Sequence, residues 1–463
     1  MNAASATRAD DRGRPESGAG DVLGHPKGLW FIVFTETWER FSFYGMQALL
    51  VLYMATYLLH PGKVETVAGF APFRAAIEGV VGPLSVQALA TQIFGLYIGL
   101  IYFMPVFGGL LGDQWLGRTR AVLIGAASMA LGHFLMAFEA AFLFALLALI
   151  VGSGFLKGNL AAQVGDLYAK ADQRRDAAFS IYNVAINIGA TVAPLICGTL
   201  GEVYGWHYGF GIAGFGMLVG IVIYLAGGKH LPPDPVVGAR KERHHLQPGD
   251  GRIIGGILVM FLIAALFWAT QAQVWNSYPL WIKGHVDREI LGLTVPVTWF
   301  QSLDSLAVLV LMPAVLWIWR VQARRGTEPD DFGKIILGCG VYAAAFLWLT
   351  AGEFVAGGDK VLLLWPVTFH FILGFGFVYV APIMMSLVSR TAPLAVNAMM
   401  VGAYYLSIFV GGFLSGWLGR FYEVLTPLQF WLLHAGVAAS GSLLVVMLRR
   451  PLGRAMRLQG GGA

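Results

Sequence analysis

Apolar positions along the chain come in long continuous runs separated by short polar breaks, not in alternating or narrow amphipathic patterns. A helix needs about 20 mostly apolar residues to cross a bilayer's hydrocarbon core. Twelve stretches meet that need: 28–59, 86–110, 120–139, 142–166, 176–199, 207–227, 252–280, 295–321, 333–352, 361–388, 396–421 and 427–448. The runs are too long and too continuous for the strands of a membrane β-barrel. Residues 1–27 are polar and read as a disordered tail. The break at 228–251, rich in Pro, Gly and basic residues, holds no apolar helix. It divides the chain into 28–227 and 252–448, with a basic tail at 449–463. The expectation is an all-α integral membrane protein of the major facilitator fold: twelve transmembrane helices as two six-helix bundles around a central cavity, with no extra helices between the halves.

Charge fixes the expected orientation. Of 31 Lys and Arg residues, 23 fall on the side of the two tails, 6 on the other side, and two inside spans. This bias places both termini in the cytoplasm. Only 12% of the 463 residues are charged and 57% are hydrophobic, against about 25% charged in a soluble protein. The net charge of +5 follows from the basic loops and does not point to nucleic acid. Cys197 and Cys339 lie in apolar runs and read as small hydrophobes. No metal-ligand spacing, phosphate loop or nucleophile–base arrangement is present, so an enzyme is the weakest reading. No cofactor is expected.

The informative residues are the charges inside the spans, where an ionisable group is costly and is by default a functional candidate. Glu36, Glu39 and Arg40 sit at i, i+3 and i+4 of the first span and share one helix face. Two carboxylates and one guanidinium there suit a proton carrier, or a static packing cluster. Lys157, in GSGFLKGNL on the fourth span, needs an anionic partner: one of those glutamates, or a ligand carboxylate. Asp304, early in the eighth span, is the one clear mid-span charge of the second half, either a titrating site or a residue bonded to neighbours such as Gln301. Asp113, Glu139, Asp166, Glu202 and Glu353 lie near span ends and read as solvated. Asp113 and Arg118, in GGLLGDQWLGRTR, read as a gating loop or latch. His133 and His370 read as packing residues. Tyr44, four residues beyond Arg40, and Tyr102 are candidates to bond a polar ligand.

These residues resemble a known family. Glu36-x-x-Glu39-Arg40-Phe41-x-x-Tyr44-Gly45 is similar to the ExxERF signature of the proton-dependent oligopeptide transporters. GGLLGDQWLG at 108–117, GSGFLKGNLAAQVGDLY at 152–168, the stretch at 174–198 and GWHYGFGIAGFGMLVG at 205–220 resemble further family motifs in order. FWATQAQ, WFQSLD and MMVGAYYLS in the second half are looser matches. The resemblance implies proton coupling through Glu36, Glu39, Arg40, Lys157 and Asp304. It implies substrate binding by Arg40, Tyr44, Tyr102, Lys157, Asn187, Gln273 and Asp304, with short peptides as cargo. There are departures. The basic residue often found after ExxERF is Gln47, and the motif proline after Lys157 is Gly158. The seventh-span acidic position is Ala272, and the tenth-span glutamate that usually receives a peptide's amino group is Phe377. Asp304 stands where the family commonly has Asn. The carboxylate half of a peptide clamp is intact and the amino half is missing, with Asp304 as its candidate substitute. The implied protein is a monomeric proton-coupled symporter importing di- and tripeptides by alternating access across a bacterial inner membrane. Two readings stay open beside it: another small carboxylate-bearing metabolite as cargo, and a transporter-like sensor that binds without translocating.

Overall fold

A computed structural model describes residues 21–169, 172–234 and 245–457. Most of the predicted N-terminal tail, the middle of the predicted linker and the last residues of the C-terminal tail lie outside these. Fifteen α-helices are present among the described residues: α1 (Lys27–Tyr53), α2 (Phe70–Val81), α3 (Val86–Phe103), α4 (Pro105–Leu111), α5 (Arg118–Leu135), α6 (Phe142–Asp166), α7 (Arg174–Ala193), α8 (Trp206–Ala226), α9 (Asp250–Gln271), α10 (Ser277–His285), α11 (Val297–Arg324), α12 (Asp331–Ala356), α13 (Leu364–Thr391), α14 (Asn397–Gly419) and α15 (Pro427–Ala455). Two of the predicted crossings are each built from two helices. Pro105 has no N–H to continue the helix ladder, so the second crossing is α3 followed by α4. The seventh is α9 and α10, joined by a tighter turn at Ala272–Trp275 and a non-helical Asn276 (φ −109°, ψ −92°).

Eleven helical segments among the described residues are long and apolar enough to cross a membrane. The twelfth crossing is α5, whose mean hydropathy is lowered by Arg118, Arg120 and His133. It packs along α6 and against α8. The chain is therefore an integral membrane protein with twelve crossings, and an even count returns both described ends to one face, termed here the tail face. Two additions lie outside the sequence reading. The short helix α2 and a small hairpin, Glu289–Ile290 with Leu293–Thr294, decorate the opposite, far face. Helix α15 also runs past its expected end, through Pro451 to Ala455.

Helices before residue 228 pack chiefly on one another, as do those after 249, and two seams join them: α3 with α14, and α7 with α11. Small residues set the first seam. A Cβ at Gly95 would overlap the carbonyl of Gly412, and one at Gly416 would meet the backbone of Gln92 at 2.8 Å. Such close backbone approach is what small residues provide where no water drives helices together.

Cross-seam hydrogen bonds crowd the far face. Arg420 donates to the Val81 carbonyl at 2.9 Å and Asn276 to the Thr91 carbonyl at 3.2 Å. Glu202 accepts from Val297, and Trp299 donates to Thr199. At the tail face, no hydrogen bond or ion pair between the two sets of helices is found among the described residues. The molecule is held closed at the far face by these cross-seam bonds.

The predicted gating loop lies at the tail face. Arg118 donates to Asp113 at 3.1 Å and also bonds Asp166, tying together the ends of α4, α5 and α6. The cap on α5, however, comes from the linker: Asp234 accepts from the Thr119 amide and hydroxyl, both at 3.0 Å. Removing an N-cap carboxylate costs about 1 kcal/mol. Asp234→Ala is expected to lower the thermal unfolding midpoint by about 1 °C, read by scanning fluorimetry of the purified protein.

Candidate functional site

Helix α1 sets its charges on one face, as the spacing requires. Arg40 Nε lies 2.6 Å from Glu36 Oε1 and 2.8 Å from Glu39 Oε2, and both glutamates are fully buried. A single guanidinium thus holds two carboxylates, which leaves the trio with a net negative charge if both are ionised. Three of the four carboxylate oxygens make no hydrogen bond. Tyr182 of α7, also buried, faces the trio; its sequence context, SIYNVAIN, gave no sign of that.

Lys157 does not pair with either glutamate. Its Nζ is buried without a hydrogen-bond partner. It sits 3.7 Å from the ring centre of Phe43 and 4.7 Å from that of Tyr102. A cation over an aromatic face gains about 0.5–2 kcal/mol, while burying an ion without a counter-ion costs several. The rings therefore hold the ammonium without satisfying it, and an anion reaching this point would be strongly favoured. The expected alternative of a permanent Lys157–glutamate pair is excluded for this state.

A cavity opens beside this cluster, between the two sets of helices. Its walls include Tyr44, Gln47, Tyr102, Asn187, Asp304 and Phe377. Four of the predicted binding residues, Tyr44, Tyr102, Asn187 and Asp304, are thus brought to one place. Arg40 and Lys157 stand one layer behind the wall: Arg40 is held back by its two glutamates, and Lys157 lies behind the Tyr102 ring.

Gln273 is a correction. It is fully buried, with Nε2 donating to the Ser415 carbonyl at 3.0 Å, and it is absent from the cavity wall. The tight turn after Gln271 rotates it away from the cavity, and Gln271 and Trp275 line the wall in its place.

Asp304 shows why that turn matters. Its carboxylate accepts from Gln271 Nε2 at 3.2 Å and from Trp275 Nε1 at 3.4 Å. Gln271 is itself anchored by the Tyr342 hydroxyl, which donates to its Oε1 at 2.6 Å. The expected partner, Gln301, makes no side-chain hydrogen bond and is buried. No cation lies within ion-pair distance of Asp304 among the described residues. Phe377 packs against Phe267 and Trp268, each with ring centres 6.2 Å away, so the wall at the tenth-span position is apolar. Broken helices that line a cavity near mid-membrane are a recurring way to present polar groups to a transported solute.

The histidines stay out of the site. His133 Nε2 lies 2.6 Å from the Ser42 hydroxyl, which donates to the Ala213 carbonyl. His370 packs against Tyr278 and Phe369. Among the described residues no group of acids, histidines and cysteines could hold a metal.

Comparison with known proteins bears on this arrangement. A family model described as the POT family matches residues 119–243 and 237–431. A peptide transporter, YePEPT, of Yersinia enterocolitica is 29% identical, over 87% of this chain and 89% of its own. A di-/tripeptide transporter of Lactococcus lactis is 26% identical, over 93% and 96%. Among solved structures, a peptide transporter POT with a glutamate-to-glutamine substitution, in complex with sulfate, superposes with a TM-score of 0.81 and 28% identity, over 94% of this chain and 96% of that one. The same variant in complex with alafosfalin also gives 0.81 and 28%.

Proposed function

Because the chain belongs to the POT family, whose members are transporters and not enzymes, we propose that it is a proton-coupled symporter importing di- and tripeptides by alternating access. The observation that carries this reading is the buried, unpartnered ammonium of Lys157 beside a cavity and beside an overcommitted Arg40. The relatives' names, peptide transporter and di-/tripeptide transporter, favour the same cargo.

In the proposed cycle, protonation of Glu36 or Glu39 from the far side loosens Arg40. Displacement of Tyr102 then exposes Lys157, and the two cations hold the peptide carboxylate. Loss of the proton toward the tail side lets the glutamates recapture Arg40, and the carboxylate is released. Asp304, presented by Gln271 and Trp275, receives the peptide's amino group. With the termini in a bacterial cytoplasm, as the distribution of basic residues favours, the state described here is closed outward. We propose a monomer that needs no cofactor, with protons as the coupling ion.

The apolar Phe377 and Ala272 favour one competing reading: a small carboxylate-bearing metabolite that lacks an amino group. Uptake of labelled di- and tripeptides into proteoliposomes with an imposed pH gradient separates the two. The expected result is accumulation that collapses with a protonophore and is inhibited by unlabelled dipeptide. Inhibition by N-blocked or non-peptide acids alone would overturn the peptide reading.

A further inference from the structure

The far-face seam between α7 and α11 contains a carboxylate that neither the family motifs nor the cavity uses. Glu202, half-buried just beyond the end of α7, reaches across to the first turn of α11. Its Oε2 accepts from the Val297 amide at 2.9 Å. Its Oε1 accepts from the Thr298 amide and from the Thr298 hydroxyl, both at 2.8 Å. One carboxylate therefore caps the N-terminus of a 28-residue helix that belongs to the other set of helices.

The first amides of any helix lack partners inside the helix, and most chains satisfy some of them locally. This one does so elsewhere: Ser85 caps α3, Asp330 caps α12 and Thr426 caps α15, each from the position just before its helix. At α11 that position is Pro296, which has no side chain able to accept a hydrogen bond. The cap is supplied only from across the seam, and only while the two sets of helices are together at the far face. Parting them there would strip the carboxylate and the helix end of each other at once. Charge-assisted bonds of this kind, reinforced by the helix dipole, are among the stronger hydrogen bonds a protein makes.

Its surroundings leave room beside the contact. The seam beside it is not filled solid: Glu202 lines a recess with Lys283, Arg288 and Val297. Close approach at the same level comes from Gly198, where a Cβ would overlap the Thr298 hydroxyl. The contact is thus polar and confined to one end of the seam.

We infer that Glu202 is a positioning residue of the transport cycle: a cap in trans that pins the far face shut and sets the balance between far-closed and far-open states. This rests on the alternating-access reading but not on the identity of the cargo.

The test uses the full chain in lipid nanodiscs without substrate. Spin labels are placed at His60 and Leu291, both exposed on the far face; the native Cys197 and Cys339 are buried. Pulsed electron paramagnetic resonance then reports the far-face distance. Glu202→Gln is expected to raise the ratio of far-open to far-closed molecules about tenfold, and Thr298→Val, which removes only the hydroxyl bond, should raise it in the same direction by less. Distance distributions identical to wild type in both folded variants would overturn the inference. Peptide uptake by the wild-type protein is read separately: its absence there, with altered distances in the variants, would sink the peptide cargo and leave the pin standing.

Discussion

Lys157→Ala is expected to reduce uptake driven by a proton gradient at least about 30-fold in proteoliposomes, with the purified variant still folded. The substitution removes an ammonium that is buried without a hydrogen-bond partner. Folding should tolerate it, because an ammonium held only by the rings of Phe43 and Tyr102 adds desolvation cost that those contacts offset in part. Transport should not tolerate it. A hydrogen bond to a charged group contributes about 1.5–3 kcal/mol, roughly one to two orders of magnitude in affinity for a carboxylate. Arg40 cannot compensate while Glu36 and Glu39 hold its guanidinium at 2.6 and 2.8 Å. Dipeptide binding measured by thermal shift should weaken in parallel. Full gradient-driven uptake by the variant would refute the role given to Lys157.

The parts of the site that were legible in the sequence are those carried by one helix. Glu36, Glu39 and Arg40 share a face because helical spacing requires it, and the ion pairs followed. The twelve crossings were legible for a similar reason, since hydrocarbon demands long apolar runs; even α5, with arginines in its first turn, carries such a run over 120–139. What was not legible depends on where the backbone departs from a helix. Gln271 and Gln273 are equally polar and two residues apart. Only the tight turn at Ala272–Trp275 decides that Gln271 faces Asp304 while Gln273 is buried against Ser415. Glu202 shows the other limit. An acid at a span end reads as solvated, and nothing local reveals that a helix start some 95 residues later lacks a cap of its own. Asp234 capping α5 from the linker is the same kind of long-range pairing.

Asp304→Asn is expected to reduce uptake of peptides with a free amino terminus by about 30-fold or more, while sparing uptake of N-acetylated peptides. Several observations set that expectation together. The carboxylate is in the cavity wall, it is oriented by Gln271 and Trp275, and it meets no cation within ion-pair distance among the described residues. An arriving ammonium would supply the missing charge. The position where the family usually places a glutamate for that purpose is Phe377, sealed by Phe267 and Trp268, so no second acid lines the wall there to share the task. The substitution keeps size and shape, and the asparagine oxygen can still accept from Gln271 or Trp275, so packing should survive. It deletes only the charge that would hold an amino group. The measurement is direct uptake of labelled free and labelled N-acetylated dipeptides, side by side, in wild type and variant. Unchanged uptake of the free dipeptide would remove Asp304 from the amino end of the clamp. Loss of uptake for free and blocked ligands alike would point instead to Asp304 as a group the whole cycle needs, a proton site and not a ligand site.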